Sequence, residues 1–342
     1  MKYSFKNDYS EGCHPKILEV LAKHNNNQED GYSEDSYCNQ AKQTILKKCN
    51  QPDADVHFLS GGTQVNLTMI AHALRPYESV IANEMAHIAT HEAGAIEATG
   101  HKINIISRAD GKLDAEDIQT VLDAHYFEHM VAPKLVFISN STEIGTVYSA
   151  EELRALYEFC KNNDLFLYID GARLGAAITA ENSELSLETI ATNCDAFYIG
   201  GTKNGFLLGE ALVITNDRLK SHMRYQMKQR GGLLAKGRIF GLQFQVMLEN
   251  DLYISLAKHT NEMAKMLSDG LKAMGFAFLI EPETNQIFPI FPIEIIKKIE
   301  SEYGFYIWEP INSETACVRL VTSWQTKSSI IQSFLDDLKQ LM

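Results

Sequence analysis

Seven short apolar runs, VHFL, SVIA, KINII, KLVFIS, LFLYID, AFYIG and EALVIT, recur between residues 51 and 215, and helical segments such as TQVNLTMIAHAL and SAEELRALYEFCKNN stand between several of them. A continuous apolar run without alternation is a strand buried on both faces, and strands that alternate with helices build a mainly parallel sheet. The pattern predicts an α/β large domain, residues 51–250, on a mainly parallel seven-stranded sheet. A long helical stretch is expected from about 216 to 272. Beyond it FAFLIE, QIFPIFP, YGFYIWEP and ACVRLVTSW alternate with helical segments, which predicts a small C-terminal α+β domain over 251–342. Residues 1–50, with helices expected in HPKILEVLAKH and EDSYCNQAKQTILKKC, are expected to pack near the site.

Composition narrows the function classes. The chain has 342 residues, 45% hydrophobic and 22% charged, enough for a large and a small core. Its 31 basic and 44 acidic residues give a net charge of -13, whose field repels nucleic acid. No window reaches 18 apolar residues free of charge, so no membrane partner is expected, and the N-terminal MKYSFKNDYSEGCHPK lacks the apolar core of a signal peptide. A cytoplasmic location is the expectation. The six cysteines are scattered without a CxxC pair, which favours neither a zinc cluster nor a disulfide framework.

Four stretches carry chemistry. In GGTKNG, Lys203 sits among small residues at the end of a predicted strand, where α/β sheets bind ligands. It is either a surface turn lysine or an amine able to form an imine with a carbonyl carbon. In LFLYIDGARLG, a buried strand ends at Asp170, with Arg173 three residues on. This carboxylate is a helix cap, a metal-binding acid or the partner of a protonated ring nitrogen such as that of pyridoxal phosphate. In HFLSGGTQVN, a strand runs through Gly62 and Thr63 into a helix, either as a phosphate cradle or as a glycine turn with a threonine cap. In ANEMAHIATHEAG, His87 and His91 stand at i and i+4 without the HExxH pattern, so His87 is either an ordinary core or surface histidine or one stacked on an aromatic cofactor, the latter favoured over a metal ligand.

Taken in order, DGARLG, GGTKNG, SGGTQVN and AHI resemble the pyridoxal-phosphate-dependent threonine aldolase family of the β-eliminating lyase group, over almost the whole chain. The resemblance implies the fold type I architecture of the aspartate aminotransferases. It implies pyridoxal 5'-phosphate held as an imine by Lys203, with Asp170 on the ring nitrogen and Gly62, Thr63, Thr202 and Arg173 also holding the cofactor. His87 would stack over the ring and serve as a base, with His129 of EHMVAP as a second histidine. Arg319 of VRLVTSW would grip the substrate carboxylate, assisted by Arg173, Asn7 of FKND, and Tyr32 and Ser33 of GYSED. RGGLLAKGR departs from the family's usual GGGMRQAG, so a phosphate contact from a neighbouring subunit falls to Lys236 or Arg238. The implied activity is a low-specificity carbon–carbon lyase that cleaves L-threonine or L-allo-threonine to glycine and an aldehyde. The alternative is a β-eliminating lyase or racemase acting on another small amino acid. A homodimer or homotetramer with active sites at the subunit interface is implied, and no metal.

Overall fold

The computed structural model describes residues 1–342. Strand β1 (Tyr3–Ser4) is followed by β2 (Asp55–Leu59), β3 (Glu78–Asn83), β4 (Lys102–Ile106), β5 (Ala132–Ser139), β6 (Phe166–Asp170), β7 (Ala196–Gly200) and β8 (Glu210–Ile214). The seven strands from β2 to β8 form one sheet in the order β2-β8-β7-β6-β5-β3-β4, in which β8 alone runs against the others. Every residue of β3, β6, β7 and β8 is buried, as expected of apolar runs covered on both faces. Helices lie where the sequence places them at Gly62–Ala73 and Ala150–Asn162, and a further helix spans Ala115–Ala124; the last two are opened by capping boxes at Ser149/Glu152 and Asp114/Asp117. No helix is long and apolar enough to cross a membrane.

The helical stretch expected over 216–272 is broken. It comprises a 3-10 turn at Asp217–Leu219 and helices at Met223–Gln229, Arg238–Leu248 and Leu252–Ala273. His222 (φ 66°), Gly231 (φ 71°), Asn250 (φ 50°) and Asp251 (φ 53°) interrupt it with left-handed backbone, which no α-helix contains. The last helix joins the two cores. Tyr253 packs in the large-domain core, while Ala264, Leu267 and Leu271 pack in the small one.

The small domain holds β9 (Gln286–Ile287), β10 (Ile290–Pro292), β11 (Tyr303–Gly304), β12 (Tyr306–Pro310) and β13 (Thr315–Val321), with β13 antiparallel to β9, β10 and β12. The N-terminal residues divide between the two cores. Strand β1 pairs with β11 and Phe5 enters the small-domain core, whereas Ile17, Ala41 and Ile45, from helices Pro15–Lys23 and Ser36–Cys49, enter the large one.

Candidate active site

The parallel strands all end at one edge, and the loops that leave them surround a cavity of about 930 Å³. Gly61–Thr63 follow β2, Glu84–His87 follow β3, Ser141–Glu143 follow β5, Arg173 follows β6 and Lys203 follows β7. The reversed strand β8 begins at the same edge, with Glu210 paired to Gly200. Across the opening stand Tyr306, Trp308 and Arg319 of the small domain. Such an edge binds ligands because loops there enclose space that the sheet cannot fill.

Asp170 is the last residue of β6 and only 4% exposed. Its Oδ1 accepts from the Tyr198 hydroxyl (2.5 Å) and the Ala172 N–H (2.9 Å), and its Oδ2 accepts from the Asn66 amide (2.9 Å). All three donors are neutral, and no lysine, arginine or histidine pairs with the carboxylate. Buried carboxylates are ordinarily paired with cations, so this one is poised for a positive group within the cavity. The close approach of β6 and β7 that brings Tyr198 to it requires Gly171, where a Cβ would lie 1.7 Å from the Tyr198 carbonyl oxygen.

Lys203 reaches the cavity from the turn after β7, and its amine has no hydrogen-bond or ion-pair partner. Burial and the Arg173 charge lower its pKa from the ordinary lysine value, against the opposing pull of Asp8, Asp170 and Glu210. Thr202, also on the wall, donates its hydroxyl to Glu210 (2.7 Å), whose carboxyl burial pushes up.

Helix Gly62–Ala73 begins without a side-chain cap: Gly61 is extended, and the free N–H groups of the first turn border the cavity beside the Thr63 hydroxyl. That is an anion cradle. One turn further, buried Asn66 connects Asp170 to Glu92 (2.8 Å) and accepts from the Tyr168 hydroxyl (2.8 Å). Glu92 in turn meets His87 Nδ1 at 2.8 Å and keeps its second oxygen buried without a partner. The His87 and His91 rings are 5.6 Å apart, and burial followed by the His87 charge lowers the pKa of His91.

Arg173 lines the cavity, but two of its donors are committed to Asp8, Nε to Oδ2 (2.7 Å) and Nη2 to Oδ1 (3.0 Å), while Asn285 also donates to Asp8 (2.9 Å). Arg319 lies opposite Tyr306 in the β12–β13 register, its guanidinium 5.5 Å from the Tyr306 ring centroid and 5.7 Å from that of Trp308. One nitrogen donates to the Lys6 carbonyl (3.2 Å), and the buried Nε has no partner.

The cavity thus brings together Gly62, Thr63, His87, Asp170, Arg173, Thr202, Lys203 and Arg319. Four residues expected beside them lie elsewhere in the chain. Asn7 closes a local turn by accepting from the Tyr9 N–H (3.0 Å) and the Ser10 hydroxyl (2.9 Å). Tyr32 lies under the Lys228 ammonium (4.5 Å), and Ser33 is buried against Gly237. His129 stands in the loop before β5, packed on Phe127 (4.8 Å), and β5 runs from there toward the cavity. At about 3.3 Å per residue the strand separates His129 from the cavity edge by roughly 23 Å. Lys236 and Arg238 also stand away from the wall, Arg238 donating to the Asn27 carbonyl (2.6 Å).

Sequence reasoning assigned no role to Tyr198, Asn66, Glu92, Glu143, Glu210 or Asp8. Tyr198 had a readable signal, because a tyrosine within a wholly buried strand requires a partner for its hydroxyl. Asp8 lies within FKND, one residue beyond the Asn7 singled out there.

A family model described as beta-eliminating lyase matches residues 12–292. The low specificity L-threonine aldolase of Pseudomonas sp. (strain NCIMB 10558) is 29% identical over 341 residues, 99% of this chain and 97% of that one. The solved structure of Leishmania major threonine aldolase superposes with a TM-score of 0.98 at 47% identity, over 99% of both chains. Aspartate aminotransferase from Thermus thermophilus, at 12% identity and a TM-score of 0.72 over 100% of this chain and 92% of that one, shares the fold alone. With the family model spanning most of the chain and a relative 47% identical from end to end, the chain belongs to the pyridoxal-phosphate-dependent threonine aldolase family, within the β-eliminating lyases of fold type I.

Proposed function

We propose that this protein cleaves the Cα–Cβ bond of L-threonine and L-allo-threonine, releasing glycine and acetaldehyde, and that it uses pyridoxal 5'-phosphate to do so. The observation that carries the reading is Asp170, a buried carboxylate held by three neutral donors and no cation, on the same cavity wall as a partnerless lysine. These residues fit the cofactor. Lys203 would hold its carbonyl carbon, Asp170 its ring nitrogen, the first turn of Gly62–Ala73 with Thr63 its phosphate, and His87 the face of its ring. When bound, the cofactor supplies the electron sink for a bond broken at Cα.

The chain's own residues bind and orient the substrate. Arg319 takes the α-carboxylate through the guanidinium it presents on the cavity wall, and the small-domain wall around it limits access of water, which strengthens that pairing. Holding the amine at the Lys203 end and the carboxylate at Arg319 leaves the hydroxylated β-carbon to face the remaining wall, where a proton acceptor is required. The free amine that burial favours at Lys203 suits it to exchange with a substrate amine.

The support for the substrate class is the kinship with threonine aldolases of Pseudomonas and Leishmania major. Incubation of the cofactor-loaded protein with each threonine diastereomer, with glycine and acetaldehyde assayed separately, tests it. Equimolar glycine and acetaldehyde are expected. Ammonia with a 2-oxo acid, or epimerised threonine alone, would replace the reading by elimination or racemisation.

A further inference from the structure

The retro-aldol step needs an acceptor for the β-hydroxyl proton, and the resemblance offered two histidines for it. His129 lies at the far end of β5. An imidazole laid flat on a cofactor ring, the place proposed for His87, directs its nitrogen lone pairs within its own plane and away from the stacked face. His87 Nδ1 is in addition engaged by Glu92.

Beside His87 stands a carboxyl that no step above uses. Glu143 follows β5 and lines the cavity. Its Oε1 is pinned by two donors, the Ser139 hydroxyl (2.7 Å) and the His87 backbone N–H (2.9 Å). Its Oε2 receives no hydrogen bond and is not among the buried atoms left without partners, so it opens on the cavity. A carboxyl with one oxygen anchored and the other presented to a ligand has the form of an acid–base group.

We propose that Glu143 is a catalytic residue of this enzyme, its Oε2 accepting the β-hydroxyl proton of the substrate. The proposal rests on the retro-aldol reading above. As Oε2 takes the proton, the O–H electron pair becomes the second bond of the aldehyde carbonyl, and the Cα–Cβ pair stays with the Cα fragment. Glycine regains one proton at Cα, and Glu143 releases the one it took, so both groups are restored. Burial, with the Asp170 charge adding to it, raises the Glu143 pKa from the ordinary carboxyl value, which makes it a stronger base than an exposed glutamate.

The test compares wild-type, E143Q and E143D holoenzymes. Three readouts are needed: the visible cofactor band titrated with glycine, the exchange of glycine α-hydrogen for deuterium, and threonine cleavage across pH. Glycine has no β-hydroxyl, so its binding and exchange report the cofactor site without the proposed step. In E143Q we expect glycine affinity and exchange within threefold of wild type, cleavage kcat lower by roughly 10²- to 10⁴-fold, and no acidic limb in the pH profile. E143D should regain part of the rate together with that limb. Cleavage by E143Q within threefold of wild type overturns the proposal, as does an equal fall in exchange and cleavage. Loss of the cofactor band from both variants makes Glu143 a cofactor-holding residue and overturns it too. Absence of glycine and acetaldehyde with the wild type would instead refute the retro-aldol reading itself.

Discussion

Replacing Gly62 by alanine tests how the cofactor cradle and the Asp170 cluster are joined. An alanine Cβ at position 62 would lie 2.8 Å from the Tyr198 hydroxyl oxygen, where ordinary contact begins at 3.4 Å. Tyr198 is 1% exposed and cannot swing away, so a displacement of about 0.6 Å falls on its 2.5 Å hydrogen bond to Asp170. Losing a buried hydrogen bond to a charged group costs about 1.5–3 kcal/mol, and alanine returns about 1 kcal/mol of helix propensity, for a net loss of about 0.5–2 kcal/mol. Tyr198→Phe loses the same bond but also removes the clashing oxygen, leaving the ring carbon 3.7 Å from the new Cβ, an ordinary contact. Gly62→Ala combined with Tyr198→Phe should therefore be neutral or stabilising relative to Tyr198→Phe alone, and the double-mutant cycle should show about 2 kcal/mol of coupling. Gly61→Ala is the control: nothing lies within 4 Å of its Cβ and its φ of -176° suits any residue, so a change below about 0.5 kcal/mol is expected. Urea unfolding of wild type and these variants measures the values. Additive effects of the two substitutions, or a Gly62→Ala protein as stable as wild type, would refute the packing argument.

Asp8→Asn leaves the largely buried Arg173 guanidinium beside an uncharged amide, with an expected loss of about 3 kcal/mol that a urea titration will read. Burial favours the neutral form of Asp8, but Arg173 and Lys203 outweigh it and lower the pKa from the ordinary 3.8, so its contribution is complete above pH 3.8 and fades as the pH falls through the folded value. If the Asn variant matches wild type at pH 7 and pH 3 alike, the pair is not stabilising. For Lys203, whose folded pKa lies below the ordinary 10.5, the unfolded chain binds more protons between the two values, and cofactor-free protein gains stability as the pH rises through that window. Lys203→Met should remove this pH dependence, exceed wild-type stability at neutral pH and lose the visible cofactor band; an unchanged slope would place the amine in contact with water.

Some of this protein was legible in the chain because the physics is local. Apolar runs of strand length separated by amphipathic helices need no partner to be recognised, and all seven strands of the large sheet lie where their runs lie. The loops after those strands carry their chemistry in consecutive residues, which is why Gly62, Thr63, Asp170, Thr202 and Lys203 were found and share one cavity. The break-up of residues 216–272 was less legible, because His222, Asn250 and Asp251 adopt a left-handed backbone that their residue types only tolerate.

What remained depended on pairs distant in sequence. Asn66 and Tyr198 reach Asp170 because β2, β6 and β7 end at one edge of the sheet, and Asp8 meets Arg173 because the N-terminal strand is sewn into the small domain. His129 shows the converse: its motif places it next to a site strand, and the direction of that strand carries it to the wrong end. Residue identities determined the strands, the helices and the chemistry that each loop could offer. Strand order and direction, set by the burial of the whole sheet, decided which of those offers meet. Glu143 became a candidate only when folding pinned one of its oxygens and left the other facing the cavity.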